Sequence, residues 1–281
     1  MGEMTTIFLE SEKKKIGSII VVHDITREKY IERLKSEFVS LAAHQLRTPL
    51  SEIKWSLGMF LDGDFGKLAK RQKSILAATF QSNEQLIALV NDLLNVSRIE
   101  EGKYIFKFSP VHMQDLVRKE WTSYQGTARA KKITFLFKEP SEPLPKIFGD
   151  EEKIRLVLQN LIDNAIRYTP SKGVVEIFLG ASERDITLEI KDTGIGIPEQ
   201  EKSKIFQKFS RASNAMELDT TGSGLGLFIA KNIVEAHRGK IWFDSKENGG
   251  TSFHMILPIT QGDGSPRPQG RRQRRSPKTS S

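Results

Sequence analysis

The chain has 281 residues and no cysteine, which excludes disulfides, thiolate metal sites and redox chemistry on sulfur and suits a reducing cytoplasm. Net charge is +8, but residues 262–281 set Arg267, Arg271, Arg272, Arg274, Arg275 and Lys278 against Asp263 alone, so the body carries only about +3. That tail sits among Pro, Gly and Ser without aromatic interleaving, which reads as solvated disorder over 261–281 and not as a specific nucleic-acid surface.

The length predicts about two domains with room for two cores. The longest early apolar run, 16–22, is far short of the roughly 20 residues of a membrane helix, and no signal peptide precedes it, so the chain reads as soluble as given. Residues 16–26, IGSIIVVHDIT, bunch β-branched residues as a strand does and stop at an Asp-x-Thr cap that opens a charged helix. From 27 to about 61 the spacing of Ile31, Leu34, Phe38 and Leu41, then Leu46, Leu50, Ile53, Leu57 and Phe60, predicts a helix. Pro49 removes a backbone donor within it, and a bend just after His44 is expected. The loop DGDFGK at 62–67 leads to a second helix over 70–101, with Ile75, Thr79, Ser82, Leu86, Leu89, Leu93 and Val96 in steps of four and three. That rhythm gives a narrow seam of period 3.5, and a two-helix hairpin cannot bury both seams alone. A homodimeric four-helix bundle is the economical arrangement; packing the hairpin on its own second domain is the alternative.

After Gly102 the periodicity changes. YIFKFSP alternates, 111–121 is helical, ITFLF is a strand, and 151–168 is a strong helix. Further strands are expected at 174–179, 186–191, 241–244 and 252–257. Strand pairs mixed with helices, without strict alternation, predict an α+β two-layer sandwich.

Four strings follow one another along the chain: FVSLAAHQLRTPL around His44, NLIDNAIRYT at Asn160, DTGIGI at Asp192 and TGSGLGLFIA with Gly222, Gly224 and Gly226. In order and spacing they resemble the sensor histidine kinases of two-component signalling over roughly residues 15–258. The resemblance implies a dimerisation and histidine-phosphotransfer hairpin at 27–101 and an ATP-binding domain of the Bergerat fold, from the GHKL superfamily, at 102–260. It also implies that 1–26 is the last strand of a PAS-like sensor. Family members often carry a membrane span upstream, so the chain could be the cytoplasmic part of a longer receptor.

Asn160 and Asn164 stand four apart on one helix, with Arg167 and Tyr168 a turn on, so all face one way. A neutral carboxamide oxygen suits Mg²⁺ that already carries phosphate oxygens, and Arg167 offers forked donors to phosphate. By resemblance, Asn164 coordinates the metal, Asn160 supports it, and Tyr168 packs near the nucleoside of ATP. Asp192 leads directly from a strand, where its carboxylate can accept from the adenine amino group while Gly194 and Gly196 let the backbone approach the ring. Thr251 completes the adenine side by resemblance. Gly222, Gly224, Leu225 and Gly226 open a helix over 225–236 whose backbone donors can face phosphates. No strand immediately precedes that glycine string, so a dinucleotide fold is excluded. Residues 198–221 read as a lid, with Lys208 and Arg211 as phosphate or docking contacts and Phe206 and Phe209 as packing residues.

The resemblance makes His44 the nucleophile that takes the γ-phosphoryl group and passes it to an aspartate of a response regulator receiver domain. Thr48, one turn on, holds the position used to orient water when that partner is dephosphorylated. Two departures stand out. Gln45 replaces the usual acid after the histidine, and an amide orients a ring without taking its proton. Arg238 replaces a glycine, a change expected to be mild. Two other functions compete: a GHKL-type hydrolase, which carries a glutamate base where this chain has Asn160, and a non-catalytic ATP-binding scaffold.

Overall fold

The computed structural model describes residues 2–11, 14–219 and 222–259; the tail assigned above to 261–281 lies outside them. Strands β1 (Gly2–Ser11) and β2 (Lys14–Asp24) pair antiparallel as a two-stranded ribbon. At its end the Asp24 carboxylate accepts from the Thr26 amide at 3.0 Å, and this starts helix α1 (Thr26–Asp62). The proline does not interrupt α1, which runs through Pro49 to Gly63, a left-handed residue whose N–H bonds Met59 and Phe60 carbonyls. Helix α2 (Lys70–Glu100) returns alongside it.

The hairpin holds together through few side chains. Ala43, Val90 and Leu94 form a small buried cluster with Leu50 against it. Buried Asn83 donates to the Leu50 carbonyl at 2.9 Å, and Arg47 donates to Asn91 at 2.9 Å. The rest of the seam divides. Leu46, Ile53 and Phe60, spaced by seven along α1, remain exposed together with Ile75, Leu86 and Leu89 of α2. The last turns of α2 instead pack into the second domain: Val96 is buried in its core, and Leu93 and Ile99 lie against it. Packing of the hairpin on its own second domain, the alternative weighed from the sequence, therefore holds for the last turns of α2 alone, because the sandwich covers only the end of the helix that runs into it, and the rest of the seam stays uncovered within one chain.

The second domain has two layers. Its five-stranded sheet has the order β4 (Thr134–Lys138), β6 (Val174–Ala181), β7 (Asp185–Asp192), β9 (Thr251–Pro258), β8 (Lys240–Ser245), parallel at β4 and β6 and antiparallel elsewhere. Alternate residues of β6, β7 and β9 are buried, as expected of a sheet covered on one face. Helices α3 (Met113–Ala130), α4 (Glu151–Tyr168) and, after the short α5 (Ser213–Leu218), α6 (Gly226–Ala236) follow; α3, α4 and α6 supply the other layer, and Leu158, Leu161, Ile162, Ile229 and Ile233 join Ile177, Ile190 and Met255 in the core.

A short ladder joins β3 (Ser109–Val111) to β5 (Ile147–Gly149). The alternating stretch before Ser109 is not a strand. Phe106 and Phe108 instead close on the His237 ring, with centroids 5.4 and 4.9 Å away. Helix α3 runs nine residues past the 121 boundary expected for it, because TSYQGTARA carries little apolar signal although Ala128 is buried. No helix among the described residues is long and apolar enough to cross a membrane.

Candidate functional site

Asp150 caps α4 by accepting from Lys153 N at 3.1 Å, and the helix then carries Asn160, Asn164, Arg167 and Tyr168 into one cavity of about 520 Å³. Asp192, Gly196, Arg211, Gly222, Gly224, Gly226 and Thr251 line the same space. Such a volume lies in the range of small-molecule sites. Two sequence-expected residues contribute from behind the wall. Leu225 is fully buried as the first residue before α6, so only its backbone faces the loop. Gly194 allows a close approach, since a Cβ there would lie 2.6 Å from the Tyr168 carbonyl oxygen.

The register of β7 and β9 sets Asp192 opposite Thr251. Asp192 Oδ1 accepts from Gly194 N at 2.8 Å and Thr251 N at 3.2 Å, and Oδ2 takes no hydrogen bond among the described residues. Burial pushes the carboxyl up to about 6, partly offset by those two donors. Thr251 Oγ1 shares a hydrogen bond with Ser245 Oγ at 2.8 Å. Gly196 has a positive φ of 66°, and a side chain there would collide with the Lys246 carbonyl, so the ring-side loop can close only on glycine.

At the opposite end, Asn160 packs under the glycine loop: a Cβ on Gly226 would sit 2.8 Å from its Oδ1. Asn160 Nδ2 is buried without a hydrogen-bond partner among the described residues, as expected of an amide donor that faces a ligand or water oxygen. Arg167 pairs with Asp163 at 3.0 Å and with Asp219 at 3.5 Å. Arg211 donates to the carbonyls of Asp219 and Ala215. Lys208 does not line the cavity. It pairs with Glu100 at the end of α2 and lies 5.5 Å over the Phe228 ring, so it ties the lid segment to the hairpin and does not reach toward phosphate. Phe206 packs on Phe243 at 5.8 Å, whereas Phe209, expected to pack, is exposed in a left-handed conformation at φ 59°.

His44, Gln45 and Thr48 are all exposed on α1, directly after buried Ala43 has fixed the helix rotation against Val90 and Leu94. The hairpin supplies one wall of the cavity through Gln85, Leu89, Asn91, Asp92 and Asn95. Asn91 is the residue held by Arg47, three positions after His44. Sequence reasoning missed these α2 residues. A polar residue between seam positions of a coiled helix carries no sign of facing another domain, and only the docking reveals it.

The fold and cavity define a two-module protein: a helical hairpin that displays a histidine, joined to a nucleotide-binding sandwich of the GHKL type. Residues 34–102 match the His Kinase A (phospho-acceptor) domain, and 149–261 match the histidine kinase-, DNA gyrase B- and HSP90-like ATPase family. The chain belongs to the sensor histidine kinases. It is 36% identical over 252 residues to the sensor protein kinase WalK of Staphylococcus haemolyticus, covering 88% of this chain and 41% of that protein. With the sensor histidine kinase WalK of Bacillus subtilis it shares 33% over 258 residues, 90% of this chain and 41% of the relative. The chain thus spans about two fifths of the length of these relatives. Among solved structures it is similar to full-length ShkA in complex with AMPPNP, with a TM-score of 0.65, 28% identity and coverage of 82% of this chain and 47% of the other. Acinetobacter baumannii AdeS, at TM-score 0.53 and 23% identity over 78% of this chain and 98% of the other, shares the fold.

Proposed function

We propose that this chain is an ATP-dependent protein histidine kinase that phosphorylates His44 and passes the group to an aspartate of a response regulator receiver domain. One observation carries the reading: Asn160, Asn164, Arg167, Asp192, Thr251 and the glycine loop converge on a single cavity, and the hairpin that bears His44 forms its remaining wall. The relative solved with AMPPNP supports a triphosphate as the ligand. Asp192 Oδ2 accepts from the adenine amino group, which selects against guanine, whose carbonyl would meet it. Arg167, freed from Asp219, pairs with phosphate.

The carboxamide oxygens of Asn164 and Asn160 are neutral hard donors that suit Mg²⁺ already carrying phosphate oxygens, so the residues fit Mg²⁺ held by Asn164 with Asn160 in support, while the buried Asn160 Nδ2, a hydrogen-bond donor, is left for a phosphate or water oxygen. Bound there, Mg²⁺ offsets charge on the transferring group. The neutral His44 imidazole nitrogen attacks the γ-phosphorus in line. An N–P bond forms as the bond to the β-phosphate oxygen breaks, ADP leaves, and the second ring nitrogen releases its proton to solvent. The receiver aspartate then takes the phosphoryl group from the imidazole.

The exposed Leu46, Ile53 and Phe60 stripe supports a homodimer through the hairpin, since a heptad-spaced apolar line left in water is the mark of a missing helix partner. We assign 27–101 to dimerisation and phosphotransfer, 102–260 to ATP binding, and the β1–β2 ribbon with its Asp24 exit cap to the end of an upstream PAS-like sensor. Because ATP is supplied inside the cell, we place this portion in the cytoplasm.

Incubation with γ-labelled ATP and magnesium tests the reading. Acid-labile, base-stable label on the wild type, absent from His44→Ala, is expected. Steady phosphate release without label would make the chain a GHKL-type hydrolase, and nucleotide binding with neither would make it a scaffold.

A further inference from the structure

At the phosphate end of the cavity several donors are engaged by the protein's own anions and acceptors, although Asn160 Nδ2 and Arg211 Nε take no partner among the described residues. Ser223, inside the glycine loop, donates its hydroxyl to Asp92 Oδ2 on α2 at 3.0 Å. The same Ser223 oxygen accepts from Leu225 N at 3.3 Å, so a backbone donor at the start of α6 is turned onto a side chain. Arg167 is held by the carboxylates of Asp163 and Asp219, and Arg211 by lid carbonyls. A second strut, Lys208 to Glu100, fixes the lid segment to the end of α2. Asp92 itself lines the cavity and is largely withdrawn from water, which holds its carboxyl above the ordinary aspartate range despite the Ser223 hydrogen bond.

A triphosphate bound at Gly222–Gly226 needs the same loop donors that Ser223 and Asp92 now engage, and it brings three to four negative charges beside a poorly solvated carboxylate. The two occupants therefore exclude each other on hydrogen bonding and on charge. We infer that the docked hairpin and the nucleotide's phosphates compete for the glycine loop, with the Asp92–Ser223 contact as the latch that keeps the ATP domain parked on α2 until a triphosphate displaces it. This rests on the ATP-binding reading above and adds regulation to that site. Loading nucleotide then releases the ATP domain from α2, as transfer to an exposed histidine on α1 requires, and the loss of the γ-phosphoryl group lowers the opposing charge and favours redocking. By reciprocity, whatever pulls the hairpin from the loop tightens nucleotide binding by the factor with which nucleotide weakens docking.

Calorimetric titration of the full chain with magnesium and AMPPNP, and separately with ADP, tests the latch. Asp92→Asn keeps the shape and removes the charge, so AMPPNP is expected to bind about fivefold tighter or more, the lower end of typical coupling, with a smaller gain for ADP. Ser223→Ala and Glu100→Gln, each cutting one strut, should also tighten AMPPNP. A second measurement does not depend on losing a side chain. Because the chain has no native cysteine, Asp92→Cys with Ser223→Cys gives a unique pair that a short bifunctional maleimide can join. The joined form should bind AMPPNP at least tenfold more weakly than the unjoined one, and AMPPNP present beforehand should slow the joining. Equal or weaker AMPPNP binding by Asp92→Asn, or equal binding by joined and unjoined chains, would overturn the latch while leaving the kinase reading intact. Failure of every form to bind nucleotide would instead remove the ATP-binding reading on which it rests.

Discussion

In the proposed ATP site Asp192 meets the adenine amino group as a carboxylate, yet its buried position favours the acid. The two requirements give opposite pH dependences. Its folded-state value of about 6 lies above the unfolded one, so the carboxyl contributes to folding stability below the ordinary aspartate range and loses that contribution as pH rises through about 6. Nucleotide affinity runs the other way, falling as pH drops through about 6 and approaching roughly tenfold per unit. Titration calorimetry with AMPPNP from pH 5 to 8 should show this slope in the wild type and a flat, weaker profile in Asp192→Asn. At the proposed phosphoacceptor, exposed Gln45 follows His44 with an amide, which takes no proton. Gln45→Glu is expected to raise the single-turnover rate of autophosphorylation by about 10²-fold, the lower bound of general-base assistance, measured by quenched-flow labelling. Unchanged rates would mean that proton removal does not limit transfer.

The C-terminal end of α6 shows how an element is anchored. His237 Nδ1 donates to the Ile233 carbonyl at 2.7 Å while Nε2 accepts from Asp150 N at 2.9 Å, so a neutral ring ties the end of α6 to the start of α4. Burial lowers its pKa, so its contribution is present above the ordinary histidine range and is lost as pH falls through the depressed folded value. His237→Ala leaves the Asp150 amide unpaired in the core and should cost about 3 kcal/mol in urea unfolding. The next residue, Arg238, lies in the left-handed region at φ 59°, with its N–H on Glu235 O and Gly239 N on Val234 O, the pairing of a Schellman stop. Glycine suits that position, so the arginine carries strain, and Arg238→Gly is expected to stabilise by about 1 kcal/mol in the same assay. The sequence raised this substitution only as a departure from the family. The structure supplies its cost.

For the whole molecule, the apolar line Leu46, Ile53 and Phe60 separates association from nucleotide binding, because none of these residues lines the cavity. Leu46→Glu with Ile53→Glu should halve the mass seen by sedimentation equilibrium while AMPPNP affinity stays within about twofold. A wild type that sediments as a monomer would refute the four-helix bundle. The two-layer domain was largely legible beforehand: α4 begins and ends at the 151 and 168 expected for it, and all four expected strands after it fall within observed ones. The second half of α3 and the strand β5 were not legible, since one is polar through Gly126 and the other is three residues long.

What the chain determined by itself is chemistry that is local along the helix or loop: carboxamides four apart on α4, glycines where a loop must pass close to other backbone, and a histidine rotated outward by the alanine before it. Those signals survive in sequence because a turn of helix or a tight loop is specified by neighbours a few residues away. Docking decided the rest. That α2 walls the proposed nucleotide cavity, that Asp92 holds Ser223, and that Lys208 turns to Glu100 follow from side chains far apart in sequence, more than a hundred residues for the last two pairs, meeting across the fold, and no local pattern encodes that encounter.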